Sequence, residues 1–216
     1  METNGHCGGM TAEPGLRARK KAATRLALSH AAWSLMLECG LDAVTPESVA
    51  EAVGVSSRTF RNYFGSREEA IVDEWSRRHA SLADAVRARP ADEPVWDSLL
   101  AVLPRALTDI VGERADFAVL LRVISESPAM LAQNLIALDR TGRLLAEVIA
   151  ERTGADADRD LAPRLLAGAV LAAVSTAATF WVTGGAGTAL PDLLRECLDH
   201  LRAGLPTADP APAPTA

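Results

Sequence analysis

In the stretch from Thr45 to Ile71, TPESVAEAVGVSSRTFRNYFGSREEAI, helix starts and glycine stops alternate at very short range. Thr45 precedes Pro46 and Glu47: an N-cap, a proline at the first helical position and an acid in the first turn. The helix it opens ends at Val53, before Gly54. A second short helix covers Ser57 to Phe64, and Gly65-Ser66 breaks the chain again. Ser66-Arg67-Glu68-Glu69 then reads as a capping box opening a third helix. Helices this short are stable only when packed on one another. Val49, Ala50 and Val53 share one face, Gly54 permits the tight turn, Val55 plugs it, and Phe60 and Phe64 anchor the following helix. Helix, glycine turn and helix at this length make a helix-turn-helix unit.

The rest of the chain obeys the same period. Helices are expected at Leu16–Cys39, from Ser66 to about Arg89, and at about 92–111, 115–126, 128–153, 160–183 and 188–203. Ala23, Leu26, Ala27, Trp33 and Leu37 mark the inner face of the first, and Ile71, Trp75, His79, Leu82 and Val86 that of the fourth. Pro104 lies within the fifth and is expected to kink it. No alternating apolar pattern or hairpin signal occurs, so the fold class is all-α. With 49% hydrophobic residues, most of the chain has material for a core. Met1–Gly15 and the Pro/Ala-rich segment from Pro206 to Ala216 read as tails. Residues 16–65 form the expected helix-turn-helix domain and 66–205 a helical ligand-binding and dimerisation domain.

A net charge of −6 does not favour a nucleic-acid binder by itself, but the distribution does. Leu16 to Arg25 carries Arg17, Arg19, Lys20, Lys21 and Arg25 with no acid between them. With Phe60 inward, Arg58, Arg61 and Asn62 lie on the opposite side of their helix, as donors suited to guanine and adenine edges. Ser56, Ser57 and Thr59 surround the start of that helix, where free amides and hydroxyls grip phosphate. Tyr63 is on the flank, with a hydroxyl that reaches a phosphate. Double-stranded operator DNA is therefore the expected partner.

Residues from about Arg17 to Ile71 resemble the DNA-binding domain of the TetR family of repressors. The matching features are the basic first helix, the Thr-capped second helix, the Gly-Val-Ser turn, Thr59-Phe60-Arg61-Asn62-Tyr63-Phe64 and Ser66-Arg67-Glu68. The Tyr-Phe pair followed by Ser-Lys/Arg-Glu is specific to that family. The resemblance implies that Thr45, Thr59, Tyr63 and Arg67 hold the DNA backbone, with arginine at 67 where the family usually has lysine. It also implies a homodimer built on the last two long helices. Ala169, Ala172, Ala173 and Thr176 would allow close approach there, with Leu194, Leu198 and Leu201 supplying bulk. An effector cavity would lie among the fourth to eighth helices, lined by Trp96, Leu100, Phe117, Leu120, Ile124, Asn134 and Phe180. The segment around Ile124–Leu138 and the small-residue helix after Asp160 resemble actinobacterial members that bind acyl-CoA-like ligands.

Two other functions compete with a ligand-released repressor. Leu165 to Thr183 is uncharged and nearly long enough to cross a bilayer, which would fit a membrane-associated helical protein. Its Ala, Ser and Thr content inserts weakly, and burial in a core or oligomer interface is the better expectation. An all-helical enzyme is the other. No Gly-x-Ser-x-Gly elbow or Ser-x-x-Lys occurs, and Gly184-Gly185-Ala186-Gly187 follows a helix rather than a strand. Trp33, Phe60 and Phe64 are expected in the core, and His30 and His79 as packed histidines on apolar faces. His200 is expected at a surface or interface. Cys7, Cys39 and Cys197 and the four histidines lack metal-ligand spacing, so no metal or other cofactor is expected. No signal peptide is expected either, and the cysteines fit a reducing, cytoplasmic compartment.

Overall fold

The computed structural model describes residues 15–184 and 187–205. The expected tails, Cys7 and the middle of the glycine-rich link lie outside them. Among the described residues the structure is all-helical. α1 (Leu16–Cys39) is followed by a 3-10 turn (Leu41–Ala43), α2 (Pro46–Val53), α3 (Ser57–Tyr63) and α4 (Arg67–Arg87). Then come α5 (Val95–Val111), α6 (Arg114–Glu126), α7 (Pro128–Thr153), α8 (Leu161–Thr183) and α9 (Leu190–Arg202).

Local chemistry sets the ends of the short helices. The Thr45 hydroxyl accepts from the Ser48 amide at 3.1 Å, and the Ser48 hydroxyl accepts from the Thr45 amide at 3.0 Å, so both free donors are satisfied. Gly54 ends α2 at φ 73°, a left-handed conformation that costs glycine nothing. Ser66 caps α4 by accepting from the Glu69 amide. Glu69 does not close the expected box on Ser66; its carboxylate takes the Gly65 amide at 2.8 Å, one residue earlier. α5 begins at Val95 rather than near residue 92 because Pro94 occupies its N-cap position and holds the residue before it out of the helical region. Pro104 sits buried within α5, which continues to Val111.

α1 packs its Leu28, Ala32, Trp33 and Met36 onto Val44, Val49, Ala50, Phe60 and Phe64 to form the core of the head. The expected stripe of α1 is displaced, because Leu26 is exposed. α4 lies between α1 and α7, and it buries Ile71, Trp75, His79, Leu82 and Val86 as its period requires. In the body α8 packs between α7 and α9, α5 lies against α4 and α9, and α6 crosses α7 and α8.

One expectation about the body needs correction. Leu194 and Leu198 are fully buried in this chain's own core. The outward face of α9 carries Asp192, Arg195, Glu196, Asp199 and His200 instead. α8 is long and apolar enough to cross a membrane, but in keeping with the preferred expectation it buries one face against the protein through Ala167, Val170, Ala173, Val174, Ala177 and Ala178. Leu165, Gly168, Ala172, Thr176 and Phe180 face outward.

Candidate nucleic-acid interface and ligand cavity

α3 is held by two aromatic anchors. Phe60 and Phe64 are buried with ring centroids 5.7 Å apart, which turns the opposite face of the helix to solvent. Arg58, Arg61 and Asn62 are all exposed there. The side chains of Arg58 and Asn62 make no hydrogen bond or ion pair with any described residue. Arg61 is engaged: its guanidinium lies 2.9 Å from the Glu47 carboxylate of α2 and 3.5 Å from the Ser57 hydroxyl. Ser56 caps α3 by accepting from the Thr59 amide at 3.1 Å, and the two hydroxyls are 2.9 Å apart. Ser57 and Tyr63 are half-buried, and Arg17, Lys20 and Lys21 are exposed along the first turns of α1.

Two residues assigned to the DNA backbone by resemblance are tied up within the head. The Thr45 side chain serves the α2 cap. Arg67 donates to the Leu41 carbonyl at 3.0 Å and pairs with Glu68 at 2.9 Å, so it fastens the start of α4 to the 3-10 turn.

Arg25 was overlooked in the sequence beyond its charge, and it holds more together than either. Its Nη1 donates to the Tyr63 carbonyl at the end of α3, and its Nε and Nη2 donate to Asp73 of α4 at 3.0 and 2.6 Å. Its guanidinium also lies over the Phe64 ring at 4.3 Å. One arginine fork thus joins α1, α3 and α4. Arg77 pairs with Glu74 and donates to Ser29 of α1 at 2.7 Å, extending the same seam. His30 is not packed in the core: its side chain is exposed beside Glu74, because the inner stripe of α1 runs through residues 28, 32 and 36.

The body encloses a cavity of about 80 Å³ among α4, α5, α6, α7 and α8. Its walls include Trp75 and His79 from α4, Leu107 and Val111 from α5, and Phe117, Leu120 and Ile124 from α6. Asn134 and Leu138 of α7, with Leu171, Val174, Ser175 and Thr179 of α8, complete it. The Phe117 ring stacks on Trp75 with centroids 5.5 Å apart. Of the expected lining, Phe117, Leu120, Ile124 and Asn134 meet here, while Trp96, Leu100 and Phe180 do not. Trp96 and Leu100 pack at the edge of the core, and Phe180 is 53% exposed on the outer face of α8.

Residues 28–71 match the family model for bacterial regulatory proteins of the tetR family, and residues 93–206 match the MftR C-terminal domain. The chain is 36% identical over 160 residues to the HTH-type transcriptional regulator TcmR of Streptomyces glaucescens, covering 71% of this chain and 70% of that one. The chain belongs to the TetR family of transcriptional regulators. This TetR-family regulator is also 24% identical over 187 residues to the putative mycofactocin biosynthesis transcriptional regulator MftR of Mycobacterium tuberculosis, covering 87% and 93% of the two chains. Thermus thermophilus FadR, solved in complex with lauroyl-CoA, shares its fold with a TM-score of 0.62. That likeness covers 89% of this chain and 100% of that one at 22% identity.

As a DNA-binding regulator of this family it is not an enzyme. Among the described residues no three His, Cys, Asp or Glu side chains gather as a metal site. The cavity was expected among the fourth to eighth helices, but its α4 residues Trp75 and His79 and its α8 residues, Leu171 to Thr179, were not named from the sequence. A buried stripe on α4 looks the same whether it faces protein or a void, so only Trp75 and His79, large and in part polar, carried a signal.

Proposed function

We propose that this regulator is a cytoplasmic homodimeric repressor that leaves a palindromic double-stranded operator when a small apolar or amphipathic ligand occupies the cavity. Residues 16–65 form the DNA-binding head and 66–205 the sensing and dimerising body. The observation that carries this reading is the position of α4. Its first half packs on the head through Ile71 and Trp75, and Trp75 with His79 also walls the cavity. A ligand that enlarges the cavity therefore acts on the helix that seats the head.

The DNA half of the proposal is supported by Arg58, Arg61 and Asn62 standing exposed on α3, and by the exposed basic first turns of α1. Ser56, Ser57, Thr59 and Tyr63 belong to the same helix and its cap, and the proposal adds Arg17, Lys20 and Lys21 of α1 as phosphate contacts. The effector half is supported by the uncharged lining of the cavity, and by Thermus FadR, whose structure holds the amphipathic lauroyl-CoA. At about 80 Å³ the cavity is too small for such a molecule as it stands, so the ligand must bind better to an opened form of the body. α6 is the mobile wall in this scheme, since it is short and buries only Phe117, Leu120 and Val123.

Selection of duplexes from a random library with the purified protein tests the first half. A pseudo-palindrome with half-sites about one helical turn apart, or a multiple of it, is expected. Enrichment of a single unrepeated site, or of nothing, would overturn it. Leu120→Trp fills the cavity and is expected to keep operator binding while ligands that release the wild-type protein no longer release it.

A further inference from the structure

His79 is 4% exposed, and its Nδ1 lies 2.9 Å from the Trp75 carbonyl oxygen one turn earlier on α4. A carbonyl only accepts, so Nδ1 carries the hydrogen. Burial pushes the pKa of the ring down, against a smaller upward pull from that carbonyl, so the imidazole is neutral. Nε2 is then a bare acceptor, and no described residue donates to it. The ring stands edge-on to Trp75, with centroids 4.5 Å apart. It lines both the cavity of the body and a smaller void of about 10 Å³. Nε2 is thus an unpartnered acceptor on a buried side chain that borders the cavity, open to a donor brought by a ligand.

The cavity lining holds no Lys, Arg, Asp or Glu; its polar groups are His79, Asn134, Ser175 and Thr179. A carboxylate or phosphate inside would have no counter-charge, and its desolvation would oppose binding. The Trp75 and Phe117 rings supply flat apolar wall. We propose that the cavity admits an uncharged aromatic ligand bearing a hydroxyl, and that His79 Nε2 accepts the hydrogen bond of that hydroxyl. This rests on the cavity being the effector site, as argued above. The resting volume of about 80 Å³ holds two or three waters at roughly 30 Å³ each. Opening the cavity for a ring displaces any such water from Nε2. A ligand without a hydroxyl leaves the acceptor unsatisfied, and the site discriminates against it.

The test pairs 2-naphthol with naphthalene, titrated calorimetrically into the full-length protein, its His79→Leu variant and its His79→Gln variant. Wild type is expected to prefer 2-naphthol by about five-fold or more, the range of one neutral hydrogen bond. His79→Leu is expected to lose that preference, and His79→Gln, which keeps an acceptor, to recover part of it. An equal preference in wild type and His79→Leu would overturn the role of His79 and leave the cavity reading standing. Failure of both compounds to bind wild type would overturn both. If the variants fail to fold, the ¹⁵N resonance of His79 Nε2 in the wild-type protein decides the matter. It is expected to move with 2-naphthol and stay with naphthalene; a resonance indifferent to both rejects the proposal.

Discussion

The indole of Trp33 on α1 lies nearly parallel to that of Trp75 on α4, with ring centroids 6.1 Å apart and 10° between the planes. Trp75 in turn stacks on Phe117 of α6, so three rings run from the head to the cavity wall. Arg78 flanks this column: its guanidinium lies 5.5 Å from the centre of the Trp33 ring and donates to the Ile110 carbonyl at the end of α5. In the proposed release scheme this column is the route by which a displacement of Phe117 reaches Trp75 and a helix of the head.

The column predicts an energetic coupling that a double-mutant cycle can read. Trp33→Leu and Trp75→Leu should each destabilise the protein, and the double variant should fall short of their sum by about 0.5–1.5 kcal/mol. Urea unfolding measures it. Strict additivity would mean the stack transmits nothing.

Arg61 must leave Glu47 to read a base. Arg61→Ala and Asn62→Ala are expected to weaken specific operator binding by about 1–3 kcal/mol each while changing non-specific binding little. Glu47→Gln frees the arginine and should leave operator affinity equal or tighter by up to about 1 kcal/mol, the upper value of an exposed ion pair. Lys20→Ala and Lys21→Ala should instead weaken binding to all sequences and flatten its salt dependence. Anisotropy titrations on matched and scrambled duplexes separate these outcomes.

Arg25→Lys tests the fork between α1, α3 and α4. A single ammonium cannot serve Tyr63 and both contacts to Asp73, so the conservative change is expected to cost about 1–2 kcal/mol, a discounted figure for a part-exposed pair. Affinity for every DNA sequence should fall together, because the seating of α3 loosens. Thermal melts alongside anisotropy report both effects, and a variant indistinguishable from wild type would remove Arg25 from this role.

The outward face of α8 predicts the dimer. Leu165 and Phe180 are large and exposed, with Ala172 between them, and such a stripe requires cover. Ala172→Glu places a charge in its centre and should produce monomers or aggregates in light scattering. Normal dimers would locate the interface elsewhere, with exposed Leu131, Leu135 and Ile136 of α7 as the next surface to test.

Glu93 predicts an acid limb of stability. Arg89 and Ser98 donate to its carboxylate and hold its pKa down at about 2, against an ordinary 4.5. Arg152 of α7 clasps the same turn through the Arg89, Pro90 and Glu93 carbonyls. A depressed carboxyl stabilises the fold above its unfolded pKa, and that contribution is lost as pH falls from about 4.5 toward 2. Glu93→Gln should therefore lower stability at neutral pH and flatten its decline in that window. Melting temperatures between pH 2 and 7 test this, and parallel profiles would contradict it.

The helix boundaries of the head were legible because they are local. Thr45, Gly54 and Ser66 act on amides a few residues away, so the chain states them without knowing its fold. The exposed face of α3 was legible for a similar reason: once Phe60 points inward, helical period turns Arg58 and Asn62 outward. The stripe of α4 from Ile71 to Val86 followed from the same rule. Periodicity did less well for Leu26 and His30, whose helix is rotated so that Leu28, Ala32 and Met36 face the core.

Sequence by itself determined the helices, the helix-turn-helix and the family, since caps, turns and period act over a few residues. Tertiary structure alone decided what each buried face meets. Leu194 and Leu198 satisfy the pattern of a dimer seam equally well, yet α5 and α8 enclose them within one chain. Trp96, Leu100 and Phe180 have the chemistry of a pocket wall but lie away from the void, while His79 and Ser175 border it. Burial is a property of neighbours brought from distant parts of the chain, and no short-range pattern encodes which of them will leave a space between.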